Sequence, residues 1–179
     1  MKALLHQFDY RLTTAIQQWP VWVRPLMVLV TFIGQPIFTV GIGIVVAALG
    51  WNDGNMRLLY SGFIIIATFG IGTLTKLLLR RDRPVTEYVA NMWFETFSLP
   101  SGHSVGAVVS YGFLAFICLG LQPQWHGYIV SGILSVLVIL IGLSRIYLGA
   151  HFPSDVVAGW LLGGAGLAII IFIIQEAQL

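Results

Sequence analysis

The sequence predicts an all-α, polytopic membrane bundle of about five transmembrane helices (six as the alternative), preceded by an amphipathic helix lying in the interface. Three observations predict it. Of 179 residues, 58% are hydrophobic and 9% charged, where a soluble domain carries about 25% charged residues to cover its surface. Long apolar runs recur at lengths suited to crossing a bilayer. The charge is also gathered rather than scattered, with seven of the sixteen charged residues (9 Lys+Arg and 7 Asp+Glu) lying between positions 76 and 95. Together these exclude a soluble cytosolic globule, a disordered chain and a broad basic face for nucleic acid. A net charge of +2 names no partner. The one cysteine, Cys118, sits in an apolar run, which excludes an intrachain disulfide and a cysteine-cluster metal site. The length suggests one domain, residues 1–179.

Residues 1–19 are too polar for a signal-peptide core, but Leu5, Phe8, Leu12, Ala15, Ile16 and Trp19 recur at helical spacing and Pro20 ends the run. That single apolar stripe predicts an interfacial helix; the alternative is a helix packed by the stripe onto the bundle. Residues 21–33 are apolar apart from Arg24 and, at thirteen residues, are short of the roughly 20 needed to cross. Gly34-Gln35-Pro36 breaks this run, and Ile37–Trp51 follows, closing in Asn52-Asp53-Gly54-Asn55. The pair reads as a re-entrant piece plus one span, ahead of two tilted short spans. Leu58–Leu79 is long enough to span, and Val105–Leu121, Tyr128–Leu143 and Val156–Ile174 are three more spans. Gly163, Gly164 and Gly166 suit close helix contact. Alternating span directions brings segments 80–104 and 144–152 to one face, and the turns near 52–55 and 122–127 to the other. Trp19, Trp22 and Trp93 then mark the first boundary, and Trp51 and Trp125 the second.

Three stretches deliver chemistry to that first face. In Lys76-Leu-Leu-Leu-Arg-Arg-Asp-Arg83-Pro84, Lys76 and Arg83 are seven apart and share a face if helix persists to Pro84, with Arg80 nearby. Such a pair can hold a dianion, an Arg fork matching phosphate oxygens and a Lys adding a point charge. A snorkelling lysine beside a headgroup-binding cluster is the competing reading, and Arg80, Arg81 and Asp82 read mostly as solvated charge. In Pro100-Ser101-Gly102-His103, the start of a span offers unpaired backbone N–H groups as an anion cradle, and Gly102 permits close approach of a ligand oxygen. Ser101 either donates its hydroxyl or caps the helix, and His103 either gives a proton or is structural. In Ser144-Arg145…His151-Phe-Pro-Ser-Asp155, Pro153 suits a first helical turn. Asp155 there can take the Nδ1 proton of His151 and leave Nε2 free as a nucleophile. A helix cap with a bystander histidine is the alternative.

Taken together the stretches resemble the type 2 phosphatidic acid phosphatase superfamily, the lipid phosphate phosphatases. Its pattern is Lys, six residues, Arg-Pro; then Pro-Ser-Gly-His; then Ser-Arg, five residues, His, three residues, Asp, and this chain carries every specified residue in order. The resemblance covers roughly residues 34–174. It implies that His151 attacks phosphorus and forms a phospho-histidine, that Asp155 orients it, and that His103 protonates the leaving oxygen. It further implies that Lys76, Arg83, Arg145, Ser101 and the Gly102 N–H hold the phosphoryl oxygens. No metal and no cofactor are expected: three fixed cations take the metal's place, and Asp82, Glu87 and Glu95 are the only acids near besides Asp155. The expected partners are the lipid bilayer and a membrane lipid phosphate substrate, with no nucleic acid, because residues 84–100 are too few to roof a soluble substrate. Phosphatidic acid, phosphatidylglycerol phosphate and polyprenyl diphosphates such as the undecaprenyl carrier are the implied substrates. A small anion channel, the rival from another class, would need ionisable groups through the membrane thickness, and the spans carry none beyond their boundary turns. An integral, multi-pass membrane protein with its active site on the extracytoplasmic face is expected, although Arg57 is the only Lys/Arg on the far face and the positive-inside rule argues the other way.

Overall fold

The computed structural model describes residues 2–92 and 96–176; Trp93, Glu95 and the side chain of Lys2 lie outside the described residues. Eight α-helices follow in order: α1 (Lys2–Gln17), α2 (Arg24–Ile33), α3 (Pro36–Asn52), α4 (Met56–Leu79), α5 (Glu87–Ala90), α6 (Gly102–Cys118), α7 (Gln124–Tyr147) and α8 (Pro153–Glu176). No strand occurs among the described residues. Four stretches are long and apolar enough to cross a membrane: Val21–Asn52, Met56–Leu79, Gln124–Tyr147 and Pro153–Glu176. Helix α6 is an apolar but shorter fifth.

Sequence chemistry explains the boundaries. Pro25, Pro36 and Pro153 sit in first helical turns, where their missing N–H costs nothing. Asn55 caps α4 by accepting from the Leu58 N–H at 3.2 Å, and Thr86 caps α5 in the same way through Val89. Helix α3 packs on α4, α6 packs on both α7 and α8, and α4 closes against α6 and α8. These contacts are dense because small residues allow them. A Cβ on Gly163 would come within 2.6 Å of the Val105 carbonyl, and one on Gly166 would strike Thr68. Gly164 faces open space instead, so it is not part of that contact. Buried serines bond locally, as Ser110 does to the Gly106 carbonyl (2.6 Å), or across helices, as Ser131 does to Ala115 (2.6 Å). Every such hydroxyl placed in an apolar interior needs this partner. Outside, Phe63, Leu78, Ile133, Leu161 and Phe172 remain exposed, an apolar girdle suited to lipid.

Helix α1 meets the bundle through Asp9 and Ile16, the latter a member of the apolar stripe and packed with Ile146 and Val156, while Leu5, Phe8, Leu12 and Trp19 of the stripe stay exposed. Val21 and Arg24 near the start of α2 and Thr31, Gln35 and Pro36 around its end all line one cavity. Helix α3 then departs from that cavity and α4 returns to it, bringing Lys76 to its lining.

Candidate active site

Five elements end at this cavity of about 990 Å³: Lys76 comes from the last turn of α4, Arg83 from the connection after it, Gly102 and His103 from the start of α6, Arg145 from the last turn of α7, and His151 from the turn before α8. Antiparallel alternation alone brings them to one end. Ser101 and Asp155 lie behind this lining, fully buried.

Arg83 does not arrive by helical phase. Helix α4 stops at Leu79, Arg80 takes a left-handed conformation (φ 47°), and its N–H closes on the Lys76 carbonyl. The residue before Pro84 is steered away from helix, so an extended segment carries Arg83 back over the cavity. The Arg80 side chain is exposed and donates to the Leu77 carbonyl, outside the lining. The Arg83 Nε donates to the Thr96 carbonyl (2.6 Å), Nη2 to the Thr96 hydroxyl (2.8 Å) and Nη1 to the Ala150 carbonyl (3.1 Å). That same Nη1 lies 3.4 Å from His151 Nε2. A guanidinium can only donate, so this contact suits a neutral His151 with its lone pair on Nε2. Burial, and then the half-buried surroundings' second cation Arg145, lower the Arg83 pKa from its ordinary value.

Lys76 is buried, and its ammonium donates to the Phe97 carbonyl at 3.2 Å. Arg145 is more enclosed still. Its Nη1 donates to the hydroxyls of Thr31 and Tyr88, its guanidinium lies 5.5 Å from the Tyr88 ring centre, and its buried Nε has no protein partner. A buried donor left free in a cationic cavity is suited to an anion. At the start of α6, a Cβ on Gly102 would meet only Phe69 (3.6 Å) and Lys76 (3.8 Å), so the missing side chain leaves space against the lysine. Ser101 is the N-cap of α6: its hydroxyl accepts from the Ser104 N–H (3.4 Å) and hydroxyl (3.0 Å), facing away from the lining.

The His151 ring is buried. Its Nδ1 lies 3.6 Å from Asp155 Oδ2 and makes no hydrogen bond at that distance. Burial above all, and then Arg145, Lys76 and Arg83, hold His151 well below the usual imidazole range, so it is neutral at pH 7. Asp155 occupies the third position of α8, where Oδ2 reaches back to accept the Phe152 N–H at 2.9 Å, as in half of a capping box. Gly149, with φ 73°, lets the chain leave α7 and turn to His151, and Thr86 donates to its carbonyl at 3.0 Å.

The reading of Arg81 as solvated charge is corrected. Its Nη1 donates to Asp155 Oδ1 (2.8 Å) and to the Ser154 hydroxyl (2.6 Å), its Nη2 pairs with Asp9 Oδ2 (2.6 Å), and its guanidinium covers the Phe152 ring. Asp9, a residue of distant α1, is thus a further acid beside the site, claimed by Arg81 and Ser154. Tyr88 and Thr31 were also silent in the sequence, since nothing local marks a residue whose partner is 57 or more positions away; Thr96 was missed too, although its partner Arg83 is only 13 positions away. No group of three or more His, Cys, Asp or Glu side chains that could hold a metal occurs among the described residues. The charge of the lining, four cations (Arg24, Lys76, Arg83 and Arg145) and two imidazoles against the one carboxylate of Glu87, is what attracts an anion and repels a divalent cation.

Comparison with known proteins follows this geometry. The PAP2 superfamily model matches residues 57–178. Phosphatidylglycerophosphatase B of Bacillus subtilis is 29% identical over 146 residues, 79% of this chain and 70% of that protein. An undecaprenyl-diphosphatase of Sulfolobus acidocaldarius is 34% identical over 110 residues, 57% of this chain and 50% of that one. The crystal structure of a transmembrane PAP2-type phosphatidylglycerolphosphate phosphatase from Bacillus subtilis superposes with a TM-score of 0.80 at 24% identity, covering 97% of this chain and 87% of the other. At that identity it speaks for the shared fold. With the family model spanning most of the helical core, the chain belongs to the PAP2 superfamily.

Proposed function

We propose that this chain, acting as one unit, is a metal-independent phosphatase of a membrane lipid phosphate or diphosphate. The observation that carries the reading is the meeting of two imidazoles with Lys76, Arg83 and Arg145 around one cavity at the end of an apolar bundle. In this reading, neutral His151 attacks phosphorus through Nε2, and the Arg83 contact on that nitrogen gives way to the phosphoryl oxygens. Asp155 receives the Nδ1 proton side of the ring as it becomes cationic. His103, whose ring has no hydrogen bond to protein among the described residues, supplies the proton to the leaving oxygen. Water then takes the phosphoryl group from His151, with His103 in reverse as base. Lys76, Arg83, the free Nε of Arg145 and the Gly102 N–H counter the charge that builds on phosphorus. Ser101 contributes through the helix cap that sets Gly102 and His103.

Phosphatidylglycerol phosphate, undecaprenyl diphosphate and phosphatidic acid are the substrates proposed, the first two named by relatives' own activities. Phosphate release from each in detergent, with a chelator present, tests the reading. Release from at least one that is lost in His151→Ala is expected; activity that vanishes with chelator, or survives in His151→Ala, refutes it. The proposed orientation puts the cavity outside the cytoplasm. Four of the cations on that side (Lys76, Arg81, Arg83 and Arg145) are engaged in site contacts, so they do not count as ordinary orientation signals. In a Cys118→Ser background, Asn52→Cys and Gln124→Cys should resist an impermeant thiol reagent in intact cells and react after permeabilisation.

A further inference from the structure

The network behind His151 reaches outside the bundle. Asp9 and Asp155 are both almost wholly buried, at 1% and 0% exposure, and one guanidinium, Arg81, bridges them. Two buried carboxylates without a shared cation repel, and the acceptor facing Nδ1 would move or be neutralised. Asp9 does a second job. Its Oδ1 accepts the Ser154 N–H (2.9 Å) and its Oδ2 the Ser154 hydroxyl (2.8 Å), so a carboxylate from α1 caps the N-terminus of α8, where the helix dipole favours an anion. Asp155 therefore has both oxygens assigned: Oδ1 to Arg81 and Oδ2 to the Phe152 N–H, with His151 Nδ1 next in line at 3.6 Å. Arg81 is itself fixed at its backbone. Its carbonyl accepts from the Ser98 N–H (2.8 Å) and the Ser98 hydroxyl (3.0 Å), three residues ahead of Ser101.

We propose that Asp9 and Arg81 are positioning residues: α1, seated in the interface by its apolar stripe, supplies the carboxylate that fixes Arg81, which fixes Asp155 against His151. Neither residue lines the cavity, so their effect passes through Asp155. The active pair is then completed by a helix that contributes no residue to the chemistry, and catalysis depends on α1 staying docked. This rests on the phosphatase reading, and the test separates the two.

The full-length chain in detergent micelles is assayed with phosphatidic acid, phosphatidylglycerol phosphate and undecaprenyl diphosphate, and kcat and KM are taken on the best of the three. Arg81→Gln should lower kcat about 30-fold and leave KM within about twofold, and Asp9→Asn should lower kcat about fivefold. Asp9→Asn keeps an oxygen for the Ser154 N–H, so it removes the charge with little loss of the cap. The double variant should be no slower than Arg81→Gln alone, and Arg81→Gln should add nothing in an Asp155→Asn background, because residues acting through one another are not additive. Arg81→Lys restores charge but not the fork and should recover only part of kcat. If Arg81→Gln fails to melt cooperatively, Arg81→Lys and Asp9→Asn carry the same comparison. Wild-type kcat in folded Asp9→Asn and Arg81→Lys, effects that multiply in the double variant, or a raised KM with kcat kept would each overturn the proposal. A wild-type chain inactive on all three lipids, or an active His151→Ala, would instead sink the phosphatase reading.

Discussion

The two ends of the bundle use the same helices and opposite solutions. At the far end, α3 turns into α4 and α6 into α7 almost backbone to backbone: a Cβ on Gly50 would strike the Leu59 backbone, and one on Gly127 the Cys118 carbonyl. The charges there are Asp53, exposed on a turn, and the half-buried Arg57 at the start of α4. At the site end, the helices part around a cavity, and Lys76, Arg145, His151, Asp155 and Asp9 are buried. Burying charge is costly unless partners compensate it, and a fold that can close its far end with glycine has no structural need for it. The asymmetry supports the proposal that the buried cations Lys76 and Arg145 serve an anion, since the bundle closes its other end without them. The largest expected effect follows directly: His151→Ala should lower kcat by about 10⁴-fold or more with the melting temperature kept, because the ring contributes no hydrogen bond through Nδ1 to the fold. Activity near wild type would dissolve the contrast between the ends.

Next in size is Arg145→Lys. The guanidinium bonds two hydroxyls at once and lies over the Tyr88 ring, which an ammonium cannot reproduce. A loss of about 10²-fold in kcat/KM is expected, with the variant still folded by its detergent melt. Gly102→Ala sharpens the comparison from the other direction. Its Cβ meets nothing closer than 3.6 Å, unlike one at Gly50 or Gly127, so the fold should tolerate it. It would, however, take space beside Lys76, and a KM increase of about tenfold at unchanged stability is expected. A loss of stability without a change in KM would class Gly102 with the packing glycines.

How much of this the sequence shows depends on how far apart the partners are. The spans are legible because hydropathy is local, and the alternation of their directions places Lys76, Gly102, His103, Arg145 and His151 at one end before any coordinates are known. Residue spacing also conveys Asp155, since His151 and Asp155 flank a helix start marked by Pro153. What spacing does not convey is the role of Arg81, identical on paper to Arg80 beside it. Only the left-handed turn at Arg80 throws one outward and the other onto Asp155. Asp9 is less legible still. On a helix with a single apolar stripe, a lone acid off the stripe reads as solvated, and its partners lie 72 and 145 positions away.

Acidity separates the ends more finely. The proposed nucleophile, His151, could attack only when neutral, and burial with the surrounding cations lowers its pKa well below 6.5. Lowering the pKa keeps the neutral form to more acid pH, so the acid limb of kcat/KM should fall below pH 6.5. Arg145→Lys keeps a cation in place and should move the acid limb little. An acid limb centred above pH 6.5 would remove the neutral His151 nucleophile from the scheme.

The smallest effect belongs to the far end. Asp53 is exposed on the turn between α3 and α4 and accepts one hydrogen bond, from its neighbour Asn52 at 3.0 Å. That bond is fully served by water in its absence, and an exposed substitution of this kind changes stability by about 0.5 kcal/mol or less. Asp53→Ala should therefore leave kcat, KM and the pH profile within about twofold of wild type. Asp9→Asn, which also removes one carboxylate from a residue outside the cavity, should not, because Asp9 is buried against Arg81 and connected to His151 through it. Equal responses of the two variants would mean that the charge network at the site end is ordinary surface electrostatics, and unequal ones that its value comes from burial.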